Sequence, residues 1–279
     1  MSNKKLRPRA RAHLGLKFLA FALLAPGLAL SETVLITGAN SGIGLEFTKR
    51  YAALGWSVIA THRRSSIPET LAEVIAAHDN VRVERMDVTS AEQIAALAQT
   101  LADVPIDLLI NNAGVYNDRG ECAEDDCPGD WRTQNLGNLR YGLFDTIMAV
   151  NVRGPLMVSE AFADHVAASD RKMIVSISST NGSLTDPYGG GGGAIFYRAS
   201  KAALNRSMQL VAVALEERGV TVLLLHPGAV ATERQAYLAD FPGMIDTETS
   251  VTGMIEVIDN ATFEDRGRFI QYDGTTAPW

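Results

Sequence analysis

The chain has 279 residues, 47% of them apolar, which is enough to bury one large α/β core. Residues 1–30 hold six basic side chains and no acidic one, so taking +6 from the total of −7 leaves −13 on the remainder. An acidic body excludes a nucleic-acid partner, which would need a basic face.

The basic groups Lys4, Lys5, Arg7, Arg9, Arg11 and Lys17 lead into the apolar run Phe18–Ala25, then Pro26-Gly27 and Ala29-Leu-Ser31. This is the layout of a secretory signal, and the run is short for a membrane span. A start assigned too early and an extra amphipathic helix are equally open. No twin-arginine pair is present to export a folded protein. The chain is therefore read as cytoplasmic, with export through residues 1–31 as the alternative and no stable membrane span.

From residue 33 short apolar runs alternate with helical stretches. The expected strands are Thr33–Ile36, Ser57–Thr61, Val81–Arg85, Ile106–Ile110, Met173–Ser178, Val220–Leu225 and a last one at Arg268–Ile270. Helical stretches include Ile43–Leu54, Ala91–Leu101, Phe144–His165 and Ala194–Arg218, with Gly55 and Gly219 as stop signals. Nearly continuous apolar strands separated by helices predict an α/β fold, one doubly wound, mostly parallel sheet over residues 32–279. Two stretches break the rhythm at strand ends, where ligands bind in such sheets: residues 115–141, and residues 182–193 with the glycine run Gly189–Gly193. Each is equally a surface excursion. Cys122 and Cys127 lie in the first stretch. A disulfide there fits export and free thiols fit the cytoplasm, but an exposed insertion with incidental cysteines is the plainest account, and no metal is expected.

Thr37-Gly-Ala-Asn-Ser-Gly-Ile-Gly44 follows the first strand and opens a helix. Glycines let the backbone approach a pyrophosphate, and the helix start offers N–H groups and a positive dipole end. Gly38, Asn40, Ser41, Gly42, Ile43 and Gly44 are thus candidate dinucleotide contacts. The second strand ends in His62-Arg63-Arg64 with no acid. A ribose 2′-hydroxyl wants a carboxylate there and a 2′-phosphate wants arginine, so Arg63, with Arg64 adding field, predicts NADP(H) over NAD(H).

Further along come Asp87-Val88, Asn111-Asn-Ala-Gly114, Asn151, the strand tip Ser178-Ser179, and Tyr197-Arg-Ala-Ser-Lys201. Four residues apart on a helix, the phenol and the ammonium share a face, and a neighbouring cation stabilises a phenolate. That makes a plausible proton-transfer pair for interconverting carbonyl and alcohol. Each of the others has a plain structural reading: asparagines satisfying backbone groups, Ser178 and Ser179 in turn chemistry, Asp87 capping the Ala91 helix.

The ordered set Thr37–Gly44, Asp87-Val88, Asn111–Gly114, Asn151, Ser179, Tyr197 with Lys201, and Pro227-Gly228 with Thr232 resembles the short-chain dehydrogenase/reductase family from residue 33 onward. Tyr197–Asn205, His226-Pro-Gly228 and Gly267–Gly274 followed by Pro278-Trp279 are similar to its C-factor (C-signal) branch, short NADP-type reductases related to carbonyl reductases. The resemblance implies a single Rossmann domain with a seven-stranded sheet. It makes Tyr197 the proton donor or acceptor, with Lys201 lowering its pKa and holding the nicotinamide ribose. Ser179 would orient the carbonyl and Asn151 would hold a relay water. Asp87 and Val88 would contact adenine, Asn111, Ala113 and Gly114 the cofactor, and Pro227, Gly228, Val230 and Thr232 the nicotinamide. The separation of Ser179 from Tyr197, 18 residues, is longer than the family usually shows. A small carbonyl or alcohol is the expected substrate, with Val115, Tyr116, Tyr188 and Phe196 as candidate pocket walls. A homodimer or homotetramer is expected through the Phe144–His165 and Ala194–Arg218 helices, whose apolar stripes are equally explained by the sheet-facing core. The competing functions are a dinucleotide-binding sensor with little turnover, and an epimerase or dehydratase. The second would need a larger lobe than the fewer than fifty residues after Thr232.

Overall fold

The computed structural model describes residues 31–117, 131–186, 193–232 and 242–279. The basic-apolar N-terminal run, Cys122, Cys127, Tyr188 and glycines 189–192 lie outside the described residues. Ser31–Trp279 form one compact unit.

In chain order the elements are β1 (Thr33–Ile36), α1 (Gly42–Ala53), β2 (Ser57–His62), α2 (Glu69–Ala77), β3 (Val81–Arg85), α3 (Ala91–Thr100) and β4 (Leu108–Asn111). There follow α4 (Tyr141–Met148), a π-helical segment (Ala149–Arg153), α5 (Gly154–Ala167), β5 (Met173–Ile177) and α6 (Ile195–Ala214). The chain ends with β6 (Thr221–His226), β7 (Ala229–Val230), β8 (Met244–Ile245), α7 (Thr247–Asn260) and β9 (Phe269–Gln271). Seven strands form one sheet in the order β3-β2-β1-β4-β5-β6-β9, every neighbouring pair parallel. Strand order reverses between β1 and β4, the topological switch point at which Rossmann folds bind dinucleotides.

The apolar runs are continuous because both sheet faces are covered. Val34 and Ile36 of β1 turn to a core shared with α1 and α7, while Leu35 between them turns to a core shared with α3, α5 and α6. Side chains alternate across a strand, so a strand buried on both faces must be apolar at every position.

Several boundaries differ from expectation. β4 starts at Leu108 and takes in Asn111, and β6 runs on to His226. The single helix expected over Phe144–His165 is α4 and α5 joined by the π-helical segment, which holds Asn151. A π-helical insertion often marks a functional position. α6 stops at Ala214, and a 3₁₀ turn, Glu216–Arg218, carries the chain to Gly219.

The tail folds back on the sheet edge. Thr276 bridges Ile270 in antiparallel sense, and the Trp279 ring packs 5.5 Å from Phe269. The main-chain oxygen of Trp279 accepts from Ser183 Oγ (2.8 Å), Leu184 N (2.8 Å), Thr185 N (2.6 Å) and Thr185 Oγ1 (2.6 Å). The tail thereby ties down the stretch just after Ser179. Among the described residues no helix is long and apolar enough to cross a membrane.

Candidate active site

The turn after β1 is built by mutual support rather than by glycine alone. Thr37 Oγ1 accepts the N–H groups of Asn112 and Ala113, both at 3.0 Å, and so locks β1 to the strand across the switch point. Asn112 Nδ2 donates to the carbonyls of Thr37 (2.9 Å) and Gly38 (3.2 Å). Gly38 has φ +65, and a Cβ there would meet Ala113 Cα at 2.9 Å. A Cβ on Gly44 would lie 2.4 Å from Asn112 Nδ2. Any side chain at either position would force the two loops apart.

A cleft of about 410 Å³ opens beside this turn at the carboxyl ends of the strands. Its lining includes Gly38, Asn40, Ser41, Gly42 and Ile43 of the turn, Arg63 and Arg64 after β2, Asp87 and Val88 after β3, and Ala113, Gly114 and Thr232. Arg63 is exposed at the rim. Most of the residues expected to touch a dinucleotide are thus brought to one cavity. Gly44, Tyr197, Lys201, Pro227, Gly228 and Val230 are not among its walls. Nor is Asn111, whose buried side chain donates to Ser159 Oγ (2.9 Å) and Ser176 Oγ (3.4 Å) and so ties β4 to α5 and β5. Asn112 faces the cleft in its place, since neighbours along an extended strand point to opposite sides. Alternation at the end of β4 was the signal that separates the two asparagines. His62, Met86, Thr89, Thr146 and Val150 also line the cleft and carry no motif by which sequence could single them out.

Asp87 is not the cap of α3. Ser90 takes that role, accepting Gln93 N at 3.3 Å, while Asp87 Oδ1 accepts from Thr89 N (2.9 Å) and Thr89 Oγ1 (2.7 Å) in a local turn. Its backbone N–H donates to Gln93 Oε1 at 3.0 Å, which leaves Asp87 on the cleft wall.

Beyond Gly114 lie the proposed proton-transfer groups. Ser178 and Ser179 part company at the end of β5: Ser178 Oγ donates to Asn205 Oδ1 inside the core, whereas Ser179 hydrogen-bonds the Tyr197 phenol. Ser179 Oγ also accepts Asn181 N at 3.1 Å. Lys201 is buried, its Nζ 2.9 Å from the Ile177 carbonyl and 5.6 Å from the centroid of the Tyr197 ring. The Tyr116 ring meets that of Tyr197 edge-on at 4.5 Å. Burial pushes the phenol up to about 12, with Tyr116 adding and the Ser179 hydrogen bond opposing. Burial also brings the Lys201 amine down to about 8. The direction for Tyr197 is opposite to the expected lowering by Lys201, because desolvation of the buried phenol dominates its shift.

Asn151 is spent on backbone. Its Oδ1 accepts Val115 N and its Nδ2 donates to Val115 O, both at 2.8 Å, and Nδ2 also reaches Ser200 Oγ at 3.0 Å. A Cβ on Gly114 would lie 3.5 Å from Asn151 Oδ1 and 4.0 Å from Lys201 Nζ, so the cleft and the tyrosine-lysine pair are adjoining parts of one site. Phe196 turns away into a small apolar cluster with Leu143 and Ile147. Among the described residues no group of three or more histidine, cysteine or acidic side chains is arranged to hold a metal ion.

Residues 32–243 match the family model described as short chain dehydrogenase. A 1-hydroxy-2-glutathionyl-2-methyl-3-butene dehydrogenase of Rhodococcus sp. is 36% identical over 254 residues, covering 89% of this chain and all of the relative. The C-signal protein of Myxococcus xanthus is 35% identical over 187 residues, 66% of this chain and 99% of its own. Among solved structures, the NADPH-bound carbonyl reductase from chicken fatty liver superposes with a TM-score of 0.77 at 30% identity, covering 89% of this chain and 99% of that one. The chain therefore belongs to the short-chain dehydrogenase/reductase family and is an NAD(P)-dependent oxidoreductase of that family.

Proposed function

We propose that this protein interconverts a small aldehyde or ketone and its alcohol, using NADP(H) in preference to NAD(H), through Ser179, Tyr197, Lys201 and Asn151 in one catalytic domain spanning residues 32–279. The observation that carries this is the Ser179–Tyr197 hydrogen bond set over a buried Lys201 and adjoining, through Gly114, the cleft of the glycine turn. A bound nicotinamide dinucleotide supplies or takes the hydride. The residues present suit such a group: the turn has no room for Cβ atoms, Arg63 and Arg64 stand at one wall, and the end of β2 carries no acid.

The protein's own part is binding and proton handling. The Gly38–Ile43 turn and the start of α1 would hold the phosphates, with Arg63 at the 2′-phosphate and Asp87 and Val88 at the adenine. Thr232 and the segment from Pro227 would flank the nicotinamide, and Ala113 and Gly114 would floor the site. With its phenol raised to about 12, Tyr197 keeps its proton at neutral pH and stands ready as a general acid. Giving that proton up leaves a phenolate, which the Lys201 ammonium compensates from beneath the ring. Ser179 orients the substrate oxygen toward the phenol. Asn151 braces the Val115 main chain and Ser200, the residue before Lys201, and so keeps the relay in place. Leu210 and Val213, both exposed on α6, support pairing of two copies through that helix.

The test is NADPH and NADH binding, followed by cofactor oxidation against a panel of aldehydes and ketones. Turnover with NADPH is expected. Tight NADPH binding with no turnover on any carbonyl would favour a sensor in its place.

A further inference from the structure

Helix α6 presents Tyr197 at its third position, yet it begins without a cap of its own. Ala194, at the N-cap, has no side-chain acceptor and adopts φ +54. An N-cap side chain ordinarily satisfies the N–H of the second or third helical residue, which the helix cannot bond internally. Here that N–H belongs to the candidate catalytic tyrosine, and its partner comes from elsewhere in the chain. Gln134 Oε1 accepts Tyr197 N at 2.9 Å, and the neighbouring Asn135 Oδ1 accepts Ala194 N at 3.2 Å. Both belong to the 115–141 stretch that sequence marked only as an irregular insertion.

The other end of the same amide is also used. Gln134 Nε2 donates to the Tyr116 carbonyl at 2.6 Å and to Asn117 Oδ1 at 3.1 Å. Gln134 is fully buried. One side chain thus joins the main chain at Tyr116 to the main chain at Tyr197, the two residues whose rings meet edge-on at 4.5 Å. A buried amide with both its oxygen and its nitrogen satisfied fixes geometry, because losing either partner leaves a desolvated polar group.

We propose that Gln134 is the positioning residue of the active site, an N-cap lent to α6 by the insertion that sets where the Tyr197 phenol stands and holds Tyr116 against it as a wall of the substrate pocket. The proposal rests on the oxidoreductase reading above. It assigns the insertion a role: it completes the start of the catalytic helix, which no residue of the helix itself can do.

The experiment compares the wild-type protein with Gln134→Leu and Gln134→Glu, measuring kcat and KM for a carbonyl, Kd for NADPH, and amide hydrogen exchange at residues 195–198. Gln134→Leu removes both halves of the bracket. A displacement near one ångström at a reacting group costs about 10²-fold, so kcat is expected to fall about tenfold or more while NADPH Kd stays within about threefold. Gln134→Glu keeps an acceptor for Tyr197 N–H, at a helix end that favours negative charge, but loses the donor to the Tyr116 carbonyl and Asn117 Oδ1, so kcat is expected to recover only in part. Exchange at the start of α6 should quicken in the leucine variant and return toward normal in the glutamate variant. Wild-type kcat in Gln134→Leu, or equally quickened exchange at the start of α6 in both variants, overturns the proposal. If the leucine variant fails to fold, Asn135→Ala, which removes the acceptor of Ala194 N–H, must still quicken exchange at the start of α6, and unchanged exchange there overturns the proposal. A wild-type protein without turnover would count against the oxidoreductase reading alone, since the exchange data test the bracket independently of activity.

Discussion

Gly182→Ala is the smallest change expected to damage this site without touching a reacting atom. Gly182 closes the 3₁₀ turn that begins one residue after Ser179, and it lies against the backbone of α6 at Lys201. A Cβ there would sit 2.6 Å from Lys201 C, 2.7 Å from Ala202 N and 2.8 Å from Lys201 Cβ. The first two are backbone atoms inside a helix and cannot swing aside. Reaching ordinary contact at 3.4 Å requires the turn and the helix to part by about 0.8 Å. Ser179 rides on the turn and Tyr197 on the helix, so the hydrogen bond between them is stretched by a similar amount. Overpacking of this kind costs about 1–3 kcal/mol. For a chain of this size that corresponds to a Tm lower by about 2–12 °C. A comparable shift of reacting groups costs about 10²-fold in rate. The assay is kcat at saturating NADPH and carbonyl, alongside NADPH Kd and a thermal melt. Expected are a kcat lower by about one to two orders of magnitude, a reduced Tm and an NADPH Kd within about threefold, because the glycine turn after β1 is on another part of the cleft. A variant with wild-type kcat and Tm would show that the contact between the turn and α6 does not hold Ser179 in place.

Tyr197→Phe should abolish turnover while NADPH Kd stays within about a few-fold, as expected for a group that acts on the proton and not on cofactor affinity; measurable catalysis in that variant would remove Tyr197 from the mechanism. Arg63→Asp should weaken NADPH binding by about tenfold or more, the equivalent of one charge-assisted contact, and improve NADH relative to NADPH; unchanged selectivity in paired titrations would put the 2′-phosphate elsewhere. His226 gives a pH prediction. Burial lowers its imidazole from 6.5 to about 4, so between those values the unfolded chain binds a proton that the folded one refuses. Stability from this residue is complete above about pH 6.5 and is lost as pH falls toward 4. In His226→Asn the fall of Tm across that window should be shallower, and an unaltered slope would assign the acid sensitivity to other groups.

Much of the fold was legible from residues 33 to 271. β1 and β4 are apolar at every position but one end, and β5 at every position but Ser176, because both faces are buried, and a run of such residues has few other fates. The Thr37–Gly44 turn was legible for a similar reason, since its shape depends on backbone, and glycine spacing reports backbone directly. Tyr197 and Lys201 come together because a helix sets the relation of residues four apart whatever surrounds it.

The rest depended on contacts between segments distant in sequence. Ser178 and Ser179 are chemically the same, and only the packing of β5 against α6 decides that one faces Asn205 and the other Tyr197. Asn111 and Asn112 are divided in the same way between core and cleft. The upward displacement of the Tyr197 phenol comes from a desolvated pocket and the Tyr116 ring, neither of which the spacing to Lys201 can convey. The cap on α6 lies 63 residues upstream of the N–H it serves, inside a stretch with no periodic pattern. Sequence by itself determined what local geometry and apolar periodicity encode: the strands, the glycine turn and the tyrosine-lysine face. Tertiary structure alone decided which polar group of each pair faces the candidate site and which holds the fold, because a hydrogen bond across the sheet depends on register and burial that no single segment carries.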